Sequence, residues 1–90
     1  MWRKIDYGTA ENDDGMRVSG SGVRRVTYSS GGREIIVEVE AGERNLGVYA
    51  RSIAKWSDGG SVTTNARENV LADLTQAFEA LKVPIEILWM

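Results

Sequence analysis

The clearest pattern in the sequence is an apolar stripe with helical spacing near the C-terminal end, followed by a short alternating stretch. Six apolar positions fall within a stripe of about 120° on a helix: Val70, Leu71, Leu74, Ala77, Phe78 and Leu81. Pro84 lacks a backbone N–H and disfavours helical geometry at the preceding residue, so the helix should end near Leu81 or Lys82. The pattern predicts a helix over residues 64–82 and a final strand over residues 85–89.

The start of this helix carries two candidate caps. Asn65 as N-cap places Glu68 at the third helical position, which is the spacing of a capping box, and Thr64 is the competing cap. Between and beside the apolar positions lie residues that we expect to point away from the core: Glu68, Ala72, Asp73, Gln76 and Glu79.

The middle of the chain contains the strongest strand signal. Residues 23–28 and 33–41 flank a Ser-Ser-Gly-Gly loop, which predicts an antiparallel hairpin. In the second strand Ile35, Val37 and Val39 share one face, because side chains alternate along a strand. Folding the hairpin symmetrically about its loop sets Val26 opposite Ile35 and Thr27 opposite Glu34. Arg24 then falls on the core face, which indicates a bulge nearby.

Weaker signals surround this hairpin. Residues 2–7 predict an edge strand with Trp2 and Ile5 toward the core, and the acidic run 11–15 is typical of a turn and lacks the spacing of a calcium loop. Residues 16–18 predict a brief strand that ends at a bend or bulge in Gly20-Ser21-Gly22, where no phosphate-binding motif follows. Residues 46–50 predict another strand. Residues 51–56 fit a short helical turn or a β extension.

These elements predict an α+β fold in which an antiparallel sheet of about four to six strands packs on one long C-terminal helix, with a final strand after the helix. A chain of 90 residues holds one core, so residues 1–90 should form a single domain. Within it, residues 1–15 supply an added edge strand and the acidic turn, and residues 16–62 supply the antiparallel strands.

Composition removes several kinds of chemistry. The chain has 11 basic and 13 acidic residues, a net charge of −2, and neither histidine nor cysteine. This excludes disulfides, thiolate or histidine metal ligands, and nucleophiles activated by histidine. The charge balance argues against a general nucleic-acid or membrane-surface footprint. No stretch resembles a signal peptide or membrane span, which favours the cytoplasm.

One candidate for chemistry is the acidic row Glu34, Glu38 and Glu40 on the polar face of the predicted hairpin. Carboxylates two residues apart on a strand lie about 6.6–7 Å apart, a spacing that paired-carboxylate catalysis could use. Alternating glutamates on a solvated sheet face, partnered by Arg25, are far commoner. We therefore expect no catalytic, metal or cofactor site.

A second candidate is a stacking platform for single-stranded nucleic acid. Its aromatic members would be Trp2, Tyr7, Tyr28, Tyr49, Trp56 and Trp89, beside Arg17, Arg24, Arg25 and Arg33. A curved antiparallel sheet backed by a C-terminal helix is also typical of whirly-type binders, which often dimerise. This nucleic-acid-binding function is the alternative prediction.

Several segments together resemble a known family. They are residues 18–28, the Gly31–Glu38 run, Val48-Tyr49-Ala50, a Ser-Ile-x-x-Trp segment at residues 52–56, and the helix and strand from Thr64 to Ile87. Over about residues 16–88, the chain is similar to the small immunity proteins of bacterial polymorphic toxin systems, in particular the family numbered seventy-four. Residues 2–14 lie outside the pattern.

The resemblance implies a non-catalytic protein that binds a co-encoded toxin and blocks it, and it supplies no functional residues. The sign of charge alone favours Glu34, Glu38 and Glu40, joined by Glu43 or Asp58 on adjacent loops, as the surface for a basic toxin. Exposed Ile36 and Trp89 leave a homodimer through the sheet edge or the helix open.

Overall fold

The computed structural model describes residues 1–89, which form one sheet and one long helix. The strands are β1 (Arg3–Asp6), β2 (Thr9–Glu11), β3 (Arg17–Gly22), β4 (Arg25–Ser30), β5 (Arg33–Ala41), β6 (Leu46–Tyr49) and β7 (Ile85–Leu88). The helix α1 (Thr64–Ala80) lies between β6 and β7, and a short 3₁₀ turn (Ala50–Ser52) follows β6. The predicted α+β class is confirmed.

The sheet contains seven strands in sequence order, so the predicted count of four to six was wrong. The strand missed by the pattern is β2, because three residues are too few to show alternation. Neighbours from β1 to β6 pair antiparallel, whereas β7 pairs parallel with β6 after the chain has crossed through α1. A helical crossover is the usual connection between parallel neighbours.

The central hairpin forms, with a register that differs from the prediction by two residues. Val26 pairs with Val37, Tyr28 with Ile35, and Ser30 with Arg33. The loop therefore shrinks to Gly31 and Gly32, whose φ angles of 59° and 81° suit the tight two-residue turns that only residues tolerant of positive φ adopt readily. Because the shift is even, the side chains of the paired residues keep their predicted faces.

The core lies between α1 and one face of the sheet. Ile35, Val37 and Val39 are buried as predicted, and they meet five buried helix residues: Val70, Leu71, Leu74, Ala77 and Phe78. Leu81 is half-buried at the margin of this core. The face opposite α1 carries the polar positions of β5. We call it the open face.

Three local predictions need correction. Trp2 is buried, but Ile5 is 47% exposed, because a register shift between Lys4 and Asp6 interrupts the alternation of β1. Arg24 is exposed in the turn before β4 and does not face the core. The expected irregularity is a register shift in β3 between Gly20 and Gly22, so the strand continues through this glycine-rich segment.

The helix begins one residue earlier than either predicted cap allows. Thr63 is the N-cap, and its side-chain oxygen accepts a hydrogen bond from the Ala66 N–H at 3.1 Å. Neither Asn65 nor Thr64 is the cap, because both already lie in the first helical turn. At the other end, Lys82 adopts a positive φ of 60°, and the N–H of Val83 donates to the Phe78 carbonyl. This Schellman closure ends the helix before Pro84.

After β6 ends, residues 50–62 continue alongside β5. Ser57 and Glu34 exchange two hydrogen bonds, and the Ser52 hydroxyl accepts from the Glu38 N–H at 2.9 Å. The segment combines both predicted alternatives, since a 3₁₀ turn at Ala50–Ser52 precedes an isolated antiparallel bridge between Lys55 and Ser61. No helix among the described residues is long and apolar enough to cross a bilayer.

Candidate interaction face

The candidate site is the part of the open face formed by β4 to β7. Even-numbered residues of β5 point to this face, so Glu34, Ile36, Glu38 and Glu40 are all exposed there. The position and exposure predicted for the three glutamates are thus observed.

A polar depression of about 360 Å³ lies on this face, beside the start of β4 and the second half of β5. Its charged and polar lining consists of Arg24, Arg25, Glu38, Glu40 and Tyr49. Tyr49 donates a hydrogen bond from its hydroxyl to the Glu40 carboxylate at 2.8 Å. That bond, with some burial and the negative charge, raises the pKa of Tyr49, so the hydroxyl stays protonated at neutral pH.

Arg25 and Glu38 are direct cross-strand partners, yet their charged groups form no ion pair within 4.0 Å. Over residues 1–89 the same holds for Arg24 and Glu40. Arg25 was predicted to be the partner of the acidic row. It lies beside the row but forms no salt bridge with it.

The opposite end of the sheet differs in this respect. Arg17 donates two hydrogen bonds to Glu11, and Arg3 pairs with Asp13 at 2.9 Å. The N-terminal ammonium also reaches Asp13, and its hydrogen bond and charge lower the pKa of that carboxyl group. Arg3, Arg17, Glu11 and Asp13 are thus engaged with one another, whereas Glu38 and Glu40 form no ion pair among residues 1–89.

A further carboxylate joins this face from β7. Glu40 pairs with Gly47, and Gly47 pairs in turn with Glu86, so all three occupy one row across the sheet. The Leu88 side chain fills the space above Gly47, where an added Cβ would lie 2.8 Å from Leu88 Cδ1. The two glutamates stand about 9.6 Å apart across two strand spacings. Glu86 was missed by sequence reasoning because nothing local indicates that β7 lies beside β6.

The other predicted site residues lie in different surroundings. Glu34 is opposite Ser29, whose hydroxyl donates to it at 3.3 Å. Glu43 is exposed in the loop after β5, at the same end of the strand as Glu40. The structure thus brings Glu38 and Glu40 together, with Glu43 nearby along the chain and Glu34 at the far end of the row.

Asp58 does not join the acidic row. Arg33 binds both of its carboxylate oxygens, and the Arg33 guanidinium lies 4.3 Å from the centre of the Trp56 ring. The Gly60 N–H and the Arg33 guanidinium lower the pKa of Asp58. Arg33 alternates with the glutamates and shares the core-facing parity of Ile35, so Asp58 is held away from Glu38 and Glu40.

The aromatic residues are dispersed over the molecule. Trp2 and Tyr28 are buried in the core, Trp56 is half-buried beneath Arg33, and Tyr7 is exposed in the β1–β2 turn. Of the six aromatic residues in the predicted stacking platform, Tyr49 lies on the open face. Arg17 and Arg33 are already paired with carboxylates. This placement gives no support to the stacking platform.

The open face also shows no arrangement suited to metal binding. Among residues 1–89, no group of three or more carboxylate side chains is placed to hold an ion. Comparison of the chain with protein-family models, with curated proteins and with solved structures gives no match. Residues 1–89 form an α+β domain in which one charged face of the sheet is left uncovered.

Proposed function

We propose that this chain is a binding protein that uses its open face to hold a protein partner, and that the partner is a bacterial toxin which it neutralises in the cytoplasm. The observation that carries the proposal is the set of charged side chains around Glu38 and Glu40 that lack ion-pair partners within residues 1–89. The resemblance to immunity proteins supplies the toxin as the partner.

The chemistry of the face favours a basic partner. Four carboxylates lie on it or at its margin, and their combined charge accelerates the approach of a positively charged surface: Glu38, Glu40, Glu43 and Glu86. Arg24 and Arg25 at the rim of the depression would reject partners that place positive charge there. Such repulsion sets the register of binding and adds specificity.

The partner would be blocked by occlusion, without a reaction. The chain has no histidine or cysteine, and its open face presents carboxylates, guanidinium groups and one tyrosine hydroxyl. A basic nuclease domain fits this chemistry, because its substrate-binding surface carries the positive charge that Glu38 and Glu40 attract. Covering that surface would exclude the substrate.

The test measures binding to the toxin effector domain encoded next to this chain. A double charge reversal, Glu38→Arg with Glu40→Arg, should raise the Kd by about a hundredfold, mainly through slower association at low salt. The matched control is Asp14→Arg with Glu68→Arg, which changes the net charge equally at exposed positions off the open face. The control should leave the Kd within about threefold.

Equal losses in both variants would show that overall charge, and not the open face, controls binding. No loss in either would also contradict the proposal. The alternative function has its own measurement, with a fluorescent single-stranded oligonucleotide as the probe. Binding that weakens steeply as salt rises would favour nucleic acid as the ligand.

A further inference from the structure

The β7 strand forms one edge of the sheet, and no other strand of the described chain pairs with its outer side. Its inner side pairs with β6, and the Leu46 N–H donates to the Pro84 carbonyl at 2.9 Å. Because hydrogen bonds to one neighbour alternate along a strand, the N–H and C=O groups of Ile85 and Ile87 point away from β6. They form an outward row that another strand can extend.

The two edges of the sheet differ in how they are protected. β1 carries a register shift between Lys4 and Asp6, and three of its four residues are charged. Irregularity and charge are the usual devices that prevent edge-to-edge pairing. β7 has the sequence Ile-Glu-Ile-Leu, with one charged residue, and Trp89 follows it directly. The β7 edge is thus the one suited to association.

We propose that β7 pairs antiparallel with β7 of a second copy of this chain, about a twofold axis that passes midway between Ile87 and its copy. A twofold axis perpendicular to the sheet keeps both open faces on the same side. In that arrangement, residues that oppose each other carry their side chains on the same face of the sheet. Two registers near the middle of β7 satisfy this condition: in one, Glu86 opposes its own copy, and in the other, Ile87 opposes its own copy.

Charge decides between the two registers. A Glu86-centred register opposes two carboxylates in a pair without backbone hydrogen bonds, where Cα atoms approach to about 4.5 Å. An Ile87-centred register sets Glu86 opposite Leu88 of the second copy. In this register Ile87 and its copy also exchange two backbone hydrogen bonds. Up to about six backbone hydrogen bonds form if Ile85 of each copy also pairs with Trp89 of the other. The Ile87 register is therefore favoured.

The same register brings an aromatic side chain to an apolar groove. Trp89 of each copy stands opposite Ile85 of the other. Ile85 lines a groove of about 360 Å³ between β7 and the end of α1, whose other walls include Val83 and Pro84. Trp89 is 52% exposed. The centre of its ring lies 5.3 Å from the guanidinium carbon of Arg67, on the helix side of the sheet.

Twofold symmetry would place one indole at each of the two grooves. Glu79 borders the groove and offers an acceptor for the indole N–H. The strand edge therefore provides both backbone pairing and a hydrophobic anchor that match a second copy of the same edge. This inference does not depend on the proposed toxin partner, because the open face stays uncovered in the paired sheet.

Sedimentation equilibrium of the full chain over a wide range of concentrations tests the pairing. A monomer–dimer equilibrium is expected, and Trp89→Ala should raise the dimer dissociation constant by about tenfold, as removal of an aromatic anchor does. Tyr7→Ala is the matched control, because Tyr7 is 95% exposed in the β1–β2 turn. A monomer at every concentration would overturn the proposal.

Engineered cysteines test the register, since the chain has no cysteine of its own. Glu86→Cys chains mixed with Leu88→Cys chains should form a disulfide-linked dimer under mild oxidation, because those positions are opposed. Glu86→Cys alone should crosslink at least about tenfold less. Efficient crosslinking of Glu86→Cys to itself, or higher oligomers without the mixed disulfide, would contradict the Ile87-centred dimer.

Discussion

The Tyr28 hydroxyl donates a hydrogen bond to the Asp73 carboxylate at 2.7 Å, across a sequence separation of 45 residues. Tyr28 is buried on β4, and Asp73 is half-buried on α1. We expected Asp73 to point away from the core. Its polar contact with Tyr28 fixes the helix against the sheet at the margin of an otherwise apolar interface.

Removal of this hydroxyl should destabilise the fold. Tyr28→Phe leaves the half-buried carboxylate without its donor, so we expect the free energy of unfolding to fall by about 1–2 kcal/mol. Urea unfolding followed by circular dichroism measures the change. Tyr7→Phe is the control and should have no effect, because Tyr7 is exposed. Equal stability of Tyr28→Phe would mean that solvent replaces the bond at no cost.

The same contact predicts a loss of stability at alkaline pH. Burial raises the pKa of Tyr28 above its ordinary value of 10.0, and the hydrogen bond to Asp73 and the charge of that carboxylate raise it further. The unfolded chain therefore releases this proton first, and stability falls as pH rises above about 10. Tyr28→Phe should show a smaller fall between about pH 9 and about pH 11. Parallel curves for the two proteins would contradict the assignment.

Two substitutions at the start of α1 distinguish the observed cap, Thr63, from the caps predicted by sequence. Thr63→Ala removes the acceptor for the Ala66 N–H and should cost about 1 kcal/mol. Asn65→Ala should be nearly neutral, because position 65 is helical and alanine favours a helix. Thermal and urea unfolding of both variants decide the question. A larger loss for Asn65→Ala would place the helix start elsewhere.

The turn between β5 and β6 leaves no room for a side chain at Gly42. A Cβ at Gly42 would stand 2.8 Å from the Asn45 carbonyl oxygen, and the Gly42 N–H donates to that same oxygen. Gly42→Ala should thus open the turn and lower the free energy of unfolding by about 1–2 kcal/mol. Gly20→Ala is the control, since no heavy atom lies within 4 Å of its Cβ. Similar urea midpoints for the two variants would contradict the steric argument.

Local patterns predicted much of the fold. The 3.6-residue period of α1 identified its buried positions, and the two-residue period of β5 assigned Ile35, Val37 and Val39 to the core and the glutamates to the polar face. Both follow from where successive side chains point along one segment. The acidic turn and the end of the helix before Pro84 were also predicted, because they depend on neighbouring residues.

Other features depend on which segments meet. Pairing across the sheet decides the hairpin register and the existence of β2. A pattern that repeats every two residues cannot distinguish registers that differ by two residues. The sequence placed Glu38 and Glu40 on one face but did not indicate that Glu86 lies in the same row as Glu40. It also grouped Asp58 with these glutamates, although Arg33 binds Asp58 elsewhere.

By itself the sequence determined an α+β chain with one amphipathic helix and a central strand that has one apolar and one acidic face. Only the tertiary structure decided that β7 lies parallel to β6 at an open edge, that Tyr28 meets Asp73, and that Glu38 and Glu40 lack ion-pair partners among residues 1–89. The physical reason is range. Periodicity is a property of one segment, whereas pairing, register and charge neutralisation arise from contacts between residues distant along the chain.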